Sequence, residues 1–322
     1  MRLKPQIDER RSERYAVTII AGFKAGDGII VCADTQETIA HISKRNVPKV
    51  RFEPDSFHSH LLREGLGDLA VAFCGAANNG PFIDKIVDTA WKNAQMSTSL
   101  DQACQTIEES IKRTYEEFGL IYQAGYCPEA ELLYGVKMAG ASRLFSALGP
   151  VVVEKDAYST GGAGYYMADF LASRMYSKSL TVHQCAILAA YILFQAKEHV
   201  DGCGGESHIA VLRHEGQCGM AGRELVEKIT QVLKYADQSV GQIILEMADA
   251  HVDQEKFKAD GMQMVDVLTL LREGELPKTG RLTIGDRIAG ITERDALGII
   301  KKPKRRWKIS KQLDPQKSEP EP

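Results

Sequence analysis

Histidine and cysteine are the side chains that most readily hold a metal at neutral pH. Five of them, His183, Cys185, His199, Cys203 and His208, fall within 26 residues. No paired CxxC or HExxH spacing organises them, and His183 and Cys185, two apart on an expected helix, face different ways. Neither a metal nor any other cofactor is expected. The run Gly161-Gly162-Ala163-Gly164 lacks the GxxxxGK[ST] continuation with which a glycine loop cradles phosphate, so it reads as a tight turn into a helix. The tail KKPKRRWKISK, residues 301–311, offers basic charge and Trp307 for stacking. A solvated basic tail accounts for it more simply, and nucleic acid is not an expected partner.

The chain that must position any such chemistry has 322 residues, 44% of them apolar and 26% charged, with a formal net charge of −3. That length and balance suit one large or two modest globular domains and exclude a disulfide-stapled miniature, a collagen-like repeat and wholesale disorder. The strongly apolar stretch Cys185 to Phe194 is ten residues long, about half of a membrane-crossing helix. The first fifteen residues carry five basic and three acidic side chains and no apolar core of a secretory signal. A cytoplasmic location without membrane attachment is expected. Seven cysteines are an odd number, several lie in apolar runs, and a reducing compartment suits them. Residues 301–322 hold eight Lys or Arg against three acids, so the tail is +5 and the first 300 residues −8.

Periodicity places the elements. VTIIAGFKAGDGIIVCADTQET has two β-branched runs about Gly26-Asp27-Gly28, which predicts a hairpin. A strand from Leu69 to Cys74 precedes a helix that Pro81 can open, with Ile83, Ile86, Val87, Ala90 and Trp91 on one face. Ser99 and Gln102 predict a capping box for a second helix along Leu100, Cys104, Ile107 and Ile111. Strand-like runs Leu132–Met138 and Leu144–Leu148 follow, then helices over 165–176 and from Thr181 to about Lys197, and a strand His208–Leu212. This order predicts an α/β (α+β) fold, a four-layer α-β-β-α sandwich of two antiparallel sheets with an appended C-terminal helical region. Residues 221–235 and 239–257 carry the helical period of that appendage. From 276 onward the composition predicts an irregular to disordered basic tail.

Five segments in chain order, TIIAGFKAGDGIIVCADTQET, VPKVRF, VAFCGAANN, STGGAGYYMADFL and VDGCGGESHIAVL, resemble successive signatures of proteasome β-type subunits, members of the N-terminal-nucleophile hydrolases. The resemblance spans about residues 17–215. It implies a leader at 1–17, a hydrolase domain at 18–218, a helical extension at 219–275 and the tail at 276–322. It further implies that Thr18, exposed as the first residue by loss of the leader, is the nucleophile, with Asp34 and Lys49 completing the catalytic set. Thr38 matches the position that holds substrate backbone, and Gly75 the glycine whose amide donates to the oxyanion. At Gly162, where the resemblance implies a supporting serine, this chain has no side chain. Two later supporting positions fall on Val200 and Cys203, with Asp201 beside the first. Val17 stands where self-cleaving members carry glycine.

The chemistry implied makes physical sense of these residue types. A threonine hydroxyl is a weak nucleophile until a base stands beside it, and a free α-amine, with a pKa of roughly 7.7 to 8.0, is such a base. A nearby ammonium lowers the cost of the developing alkoxide, and a carboxylate beside it keeps it charged and oriented. The expected activity is a threonine-type peptidase acting on peptides or unfolded protein, assembled as a homo-oligomeric ring. The alternatives are a catalytically silent structural subunit of the same fold and an N-terminal-nucleophile amidase acting on small amides. Each residue also has a plain structural reading: threonine is common in β-branched strands, and an Asp–Lys pair at a surface contributes little.

Overall fold

The computed structural model describes residues 18–39, 43–54, 68–77, 80–121 and 130–247, together with the helical positions 255, 258 and 262. Chain contacts divide the protein into Met1–Leu282 and Thr283–Pro322, and every described residue belongs to the first unit. The expected leader at 1–17 and tail at 276–322 lie outside the described residues.

Two antiparallel hairpins nucleate two sheets. In the first, β1 (Ile20–Ala25) pairs with β2 (Gly28–Asp34) across the two-residue loop Gly26-Asp27, in register Ala25↔Gly28 and Ile20↔Ala33. In the second, β7 (Ala130–Met138) pairs with β8 (Ala141–Leu148) across Ala139-Gly140, both at positive φ (50° and 76°), the backbone twist that two-residue hairpin loops require. The remaining strands are β3 (Gln36–Ile39), β4 (Ser43–Asn46), β5 (Val50–Glu53), β6 (Ala70–Ala77), β9 (Val151–Lys155), β10 (Tyr158–Gly161), β11 (Ser207–Arg213) and β12 (Gly219–Met220). They complete a sheet of order β10-β1-β2-β11-β12, a second of order β5-β6-β7-β8-β9, and a small β3-β4 ribbon.

Helices cover both outer faces. Those on the second sheet are α1 (Gly80–Ala94) and α2 (Leu100–Ile121), whose Phe82, Ile86, Ala90, Ile107 and Ile111 join Phe73, Tyr134 and Phe145 in one cluster. The other pair, α3 (Tyr165–Met175) and α4 (Val182–His199), lies on the first sheet. Between the sheets sit Ile20, Ile29, Val31, Val50, Ala72, Leu133, Leu144 and Leu212, each large aliphatic contributing about 1.5–3 kcal/mol by leaving water. The result is the expected four-layer α-β-β-α sandwich of two antiparallel sheets.

Local chemistry explains the ends of these elements. Thr181 caps α4 with a complete box: its hydroxyl accepts from Gln184 N while the Gln184 side chain accepts from Thr181 N. At α2 the expected box is half made. Ser99 accepts from Gln102 N at 3.2 Å, but the Gln102 side chain accepts from Thr98 N instead. The region read as two helical stretches, 221–235 and 239–257, forms one helix over its described part, α5 (Arg223–Met247), which packs on α4 and β11. Tyr235-Ala236-Asp237-Gln238 interrupts the apolar pattern without containing a breaker, so the helix runs through. No helix among the described residues is long and apolar enough to cross a membrane. The described cysteines are all free, and burial pushes the thiols of Cys32, Cys104 and Cys185 up to about 12.

Candidate active site

The two sheets bring their chain ends together at one place. Thr18 lies two residues before β1, Asp34 ends β2, and Lys49 immediately precedes β5 of the opposite sheet. The Thr18 hydroxyl stands between the other two side chains. An ionised carboxylate can only accept and an ammonium can only donate, so the roles are determined: Thr18 Oγ1 donates to Asp34 Oδ1 at 2.5 Å and accepts from Lys49 Nζ at 2.5 Å. Lys49 Nζ also donates to Asp34 Oδ1 at 2.9 Å and to the carbonyl of Gln36, which uses all three of its protons.

Asp34 is wholly buried and Lys49 nearly so, with side-chain exposures of 0% and 11%. A buried pair of this kind holds only if its remaining hydrogen-bonding capacity is met. Here Ile19 N–H donates to Asp34 Oδ1 at 3.3 Å and Gly204 N–H to Oδ2 at 2.8 Å. The Gly204 amide is aimed by a short zip between the end of β2 and the loop before β11. Thr35 N–H donates to Glu206 O, Gln36 N–H to Gly204 O, and Thr35 Oγ1 accepts from Glu206 N–H. Behind the loop, Lys197 Nζ donates to Gly205 O and Ser207 Oγ. Burial lowers the Lys197 pKa, and the charge of Asp34 works against that fall.

Thr18 is 1% exposed, yet it lines a cleft with Val47, Lys49, Phe73, Gly75 and Ile83. The glycine turn holds its backbone. Gly164 N–H donates to Thr18 O at 3.0 Å, and a Cβ on Gly162, at φ +75°, would stand 2.5 Å from the same oxygen. A side chain at 162 would therefore displace the nucleophile.

The other sequence-derived positions divide. Gly75 lines the cleft, but its N–H donates to Lys49 O at 3.2 Å and is occupied in this state. Thr38 stands in β3 opposite Lys44, and its side chain lies outside the described residues. Cys203 is buried near the set. Burial and the charge of Asp34 push its thiol up to about 12, against the pull of Lys49, so it is protonated and a poor nucleophile at neutral pH. Asp201 is exposed and makes no hydrogen bond or ion pair to Thr18, Asp34 or Lys49 among the described residues; Gly204 N–H fills the place beside Asp34. Val200 is buried as an apolar residue. Among the described residues, no group of three or more His, Cys, Asp or Glu is arranged to hold a metal ion.

Sequence reading missed Gly204, Gln36 and Glu131. The first two act through backbone atoms, which residue type does not announce. Glu131 is a partly buried carboxylate of β7 whose Oε2 accepts from Gly162 N–H at 2.8 Å. Burial raises its pKa and the Gly162 N–H lowers it in part.

No protein-family model matches the chain. Proteasome subunit beta 2 of Nitrosopumilus maritimus (strain SCM1) is 27% identical over 206 residues, covering 62% of this chain and 87% of that protein. Among solved structures, Anbu (ancestral beta-subunit) from Yersinia bercovieri matches with a TM-score of 0.55 at 12% identity, over 73% of this chain and 100% of that one. The Anbu complex of Pseudomonas aeruginosa, solved as a helical assembly, matches with a TM-score of 0.54 at 11% identity, over 74% of this chain and 99% of that one. The structural likenesses carry the fold. The curated relative makes this chain similar to proteasome β-type subunits and supports its reading as a divergent relative of them.

Proposed function

We propose that this protein is a threonine-type N-terminal-nucleophile hydrolase that cleaves peptide bonds. The observation that carries the reading is the Thr18 hydroxyl held at 2.5 Å from both Lys49 Nζ and Asp34 Oδ1 at the end of a cleft. While Thr18 is joined to Val17 its nitrogen is an amide and no base. Removal of residues 1–17 converts that nitrogen into an amine able to take the hydroxyl proton. Lys49 then faces the developing alkoxide as it adds to the scissile carbonyl, with Asp34 keeping Lys49 charged and oriented; the peptide C–N bond breaks as its nitrogen leaves with the proton held by the amine, and water hydrolyses the resulting ester of Thr18. The substrate is peptide or unfolded protein, and the working form is a closed homo-oligomer. A helical assembly is what the Pseudomonas aeruginosa neighbour forms.

The silent-subunit reading draws on one observation, the engagement of Gly75 N–H by Lys49 O. An oxyanion donor must be freed from that bond or found elsewhere. Intact mass of an active preparation decides between the readings. Loss of the 17 residues before Thr18, abolished together with hydrolysis by Thr18→Ala, supports the hydrolase. Full-length chain in a preparation that hydrolyses peptide overturns the amine-base mechanism. A panel of peptides against small amides separates peptidase from amidase action.

A further inference from the structure

Glu131 is a partly buried carboxylate that the mechanism above does not use. It belongs to β7 of the second sheet but reaches across to the glycine turn that follows β10 of the first. Its Oε2 accepts from Gly162 N–H at 2.8 Å, and no cation lies within ion-pair distance of it among the described residues. The neighbouring Gly161 has no room for a side chain because the carboxylate fills it: a Cβ there would stand 2.4 Å from Glu131 Cδ and Oε1. The turn in turn presses on the nucleophile, with Gly162 against the Thr18 carbonyl and Gly164 N–H donating to it.

A carboxylate partly withdrawn from water without a partner ion carries a desolvation cost, and here it is met by the amide that abuts Thr18. We propose that Glu131 is a positioning residue for the nucleophile: by holding Gly162 N–H, it sets the backbone of Thr18 so that the hydroxyl falls between Lys49 and Asp34. This rests on the hydrolase reading. It also accounts for the pair of glycines, since one leaves space for the carboxylate and the other lets the turn lie flat on Thr18. What matters in this arrangement is an acceptor of the right reach. Glutamine, with a carbonyl oxygen at the same distance, can replace glutamate; aspartate, one methylene shorter, cannot.

The test compares Glu131→Leu, Glu131→Gln and Glu131→Asp in the full chain. Acylation of Thr18 by a β-lactone is followed by peptide mass mapping, and amide hydrogen exchange is followed over residues 158–168. Glu131→Leu and Glu131→Asp are expected to slow the acylation step by about tenfold or more, with the half-saturating probe concentration unchanged, because a small misplacement of a nucleophile lowers rate rather than binding. Exchange over the turn rises in both, and Glu131→Gln restores most of both readouts. Should leucine not fold, the aspartate–glutamine comparison carries the test alone. Acylation in Glu131→Asp at the parental rate, or loss in Glu131→Gln equal to that in Glu131→Asp, overturns the proposal. If the parental protein is not acylated at all, the hydrolase reading falls by itself; the exchange data then judge the link, and unchanged protection in Glu131→Leu and Glu131→Asp overturns it.

Discussion

Three side chains share one proton-rich spot, and their separate deletions are expected to differ in kind. Thr18→Ala removes a hydroxyl whose two partners keep each other at 2.9 Å. It should abolish hydrolysis while lowering unfolding free energy in urea by about 1–3 kcal/mol, the cost of hydrogen bonds to charged groups. Lys49→Ala leaves Asp34 without its cation in a site of 0% exposure. Breaking a buried pair in this way costs about 3–5 kcal/mol, so this variant should lose stability as well as turnover. Adding Asp34→Asn should recover part of that stability and none of the activity. Equal unfolding midpoints for Thr18→Ala and Lys49→Ala would contradict the buried pairing.

At the scale of elements, the close seam between β2 and β11 is a sharp test of register. Gly28 pairs with Arg213, and a Cβ there would stand 2.1 Å from the Leu212 carbonyl oxygen. A backbone atom cannot step aside as a side-chain end can, so Gly28→Ala should cost at least the upper part of the about 1–3 kcal/mol typical of overpacking. A melting temperature equal to the parent's would show that the strands pair otherwise. The same hairpin was plain in the sequence, because Gly-Asp-Gly between β-branched runs has few other uses, and so was the capping box of α4, where residue type and spacing coincide. The β3–β4 ribbon was not, since QETI and SKRN show no apolar alternation, and the cross-strand pair of Arg45 with Glu37 appears only once the register is known. The candidate site divides in the same way. Thr18, Asp34 and Lys49 stand in motifs that a resemblance can carry over. Gly204 and Gln36 contribute a peptide N–H and a carbonyl, which every residue has, and Glu131 is the one acid of a largely apolar strand, with its partner 31 residues away.

For the molecule as a whole, one carboxyl should leave its mark on stability against pH. The Glu131 carboxyl lies above its ordinary value through burial, with the Gly162 N–H in partial opposition. A carboxyl raised on folding binds its proton more tightly in the folded than in the unfolded chain. Its contribution is therefore fully present below the unfolded pKa near 4.5 and is lost as pH rises through the folded value. Other acids, such as Glu206 facing Arg223, respond in their own windows, so the informative quantity is a difference. The parent's unfolding free energy minus that of Glu131→Gln should fall as pH increases from about 4.5 toward neutrality. A difference that is flat, or that rises, would mean that the carboxyl is not desolvated as described.

The sandwich also decides how the protein meets an alkylating reagent. Burial and the charge of Asp34 push the Cys203 thiol up to about 12, so at neutral pH it is held in the thiol form, and a haloacetamide reacts with the ionised form. Cys32, Cys104 and Cys185 share that value. Indifference of the activity to such a reagent, alongside sensitivity to a hydroxyl-directed acylator, would separate oxygen from sulfur as the attacking atom.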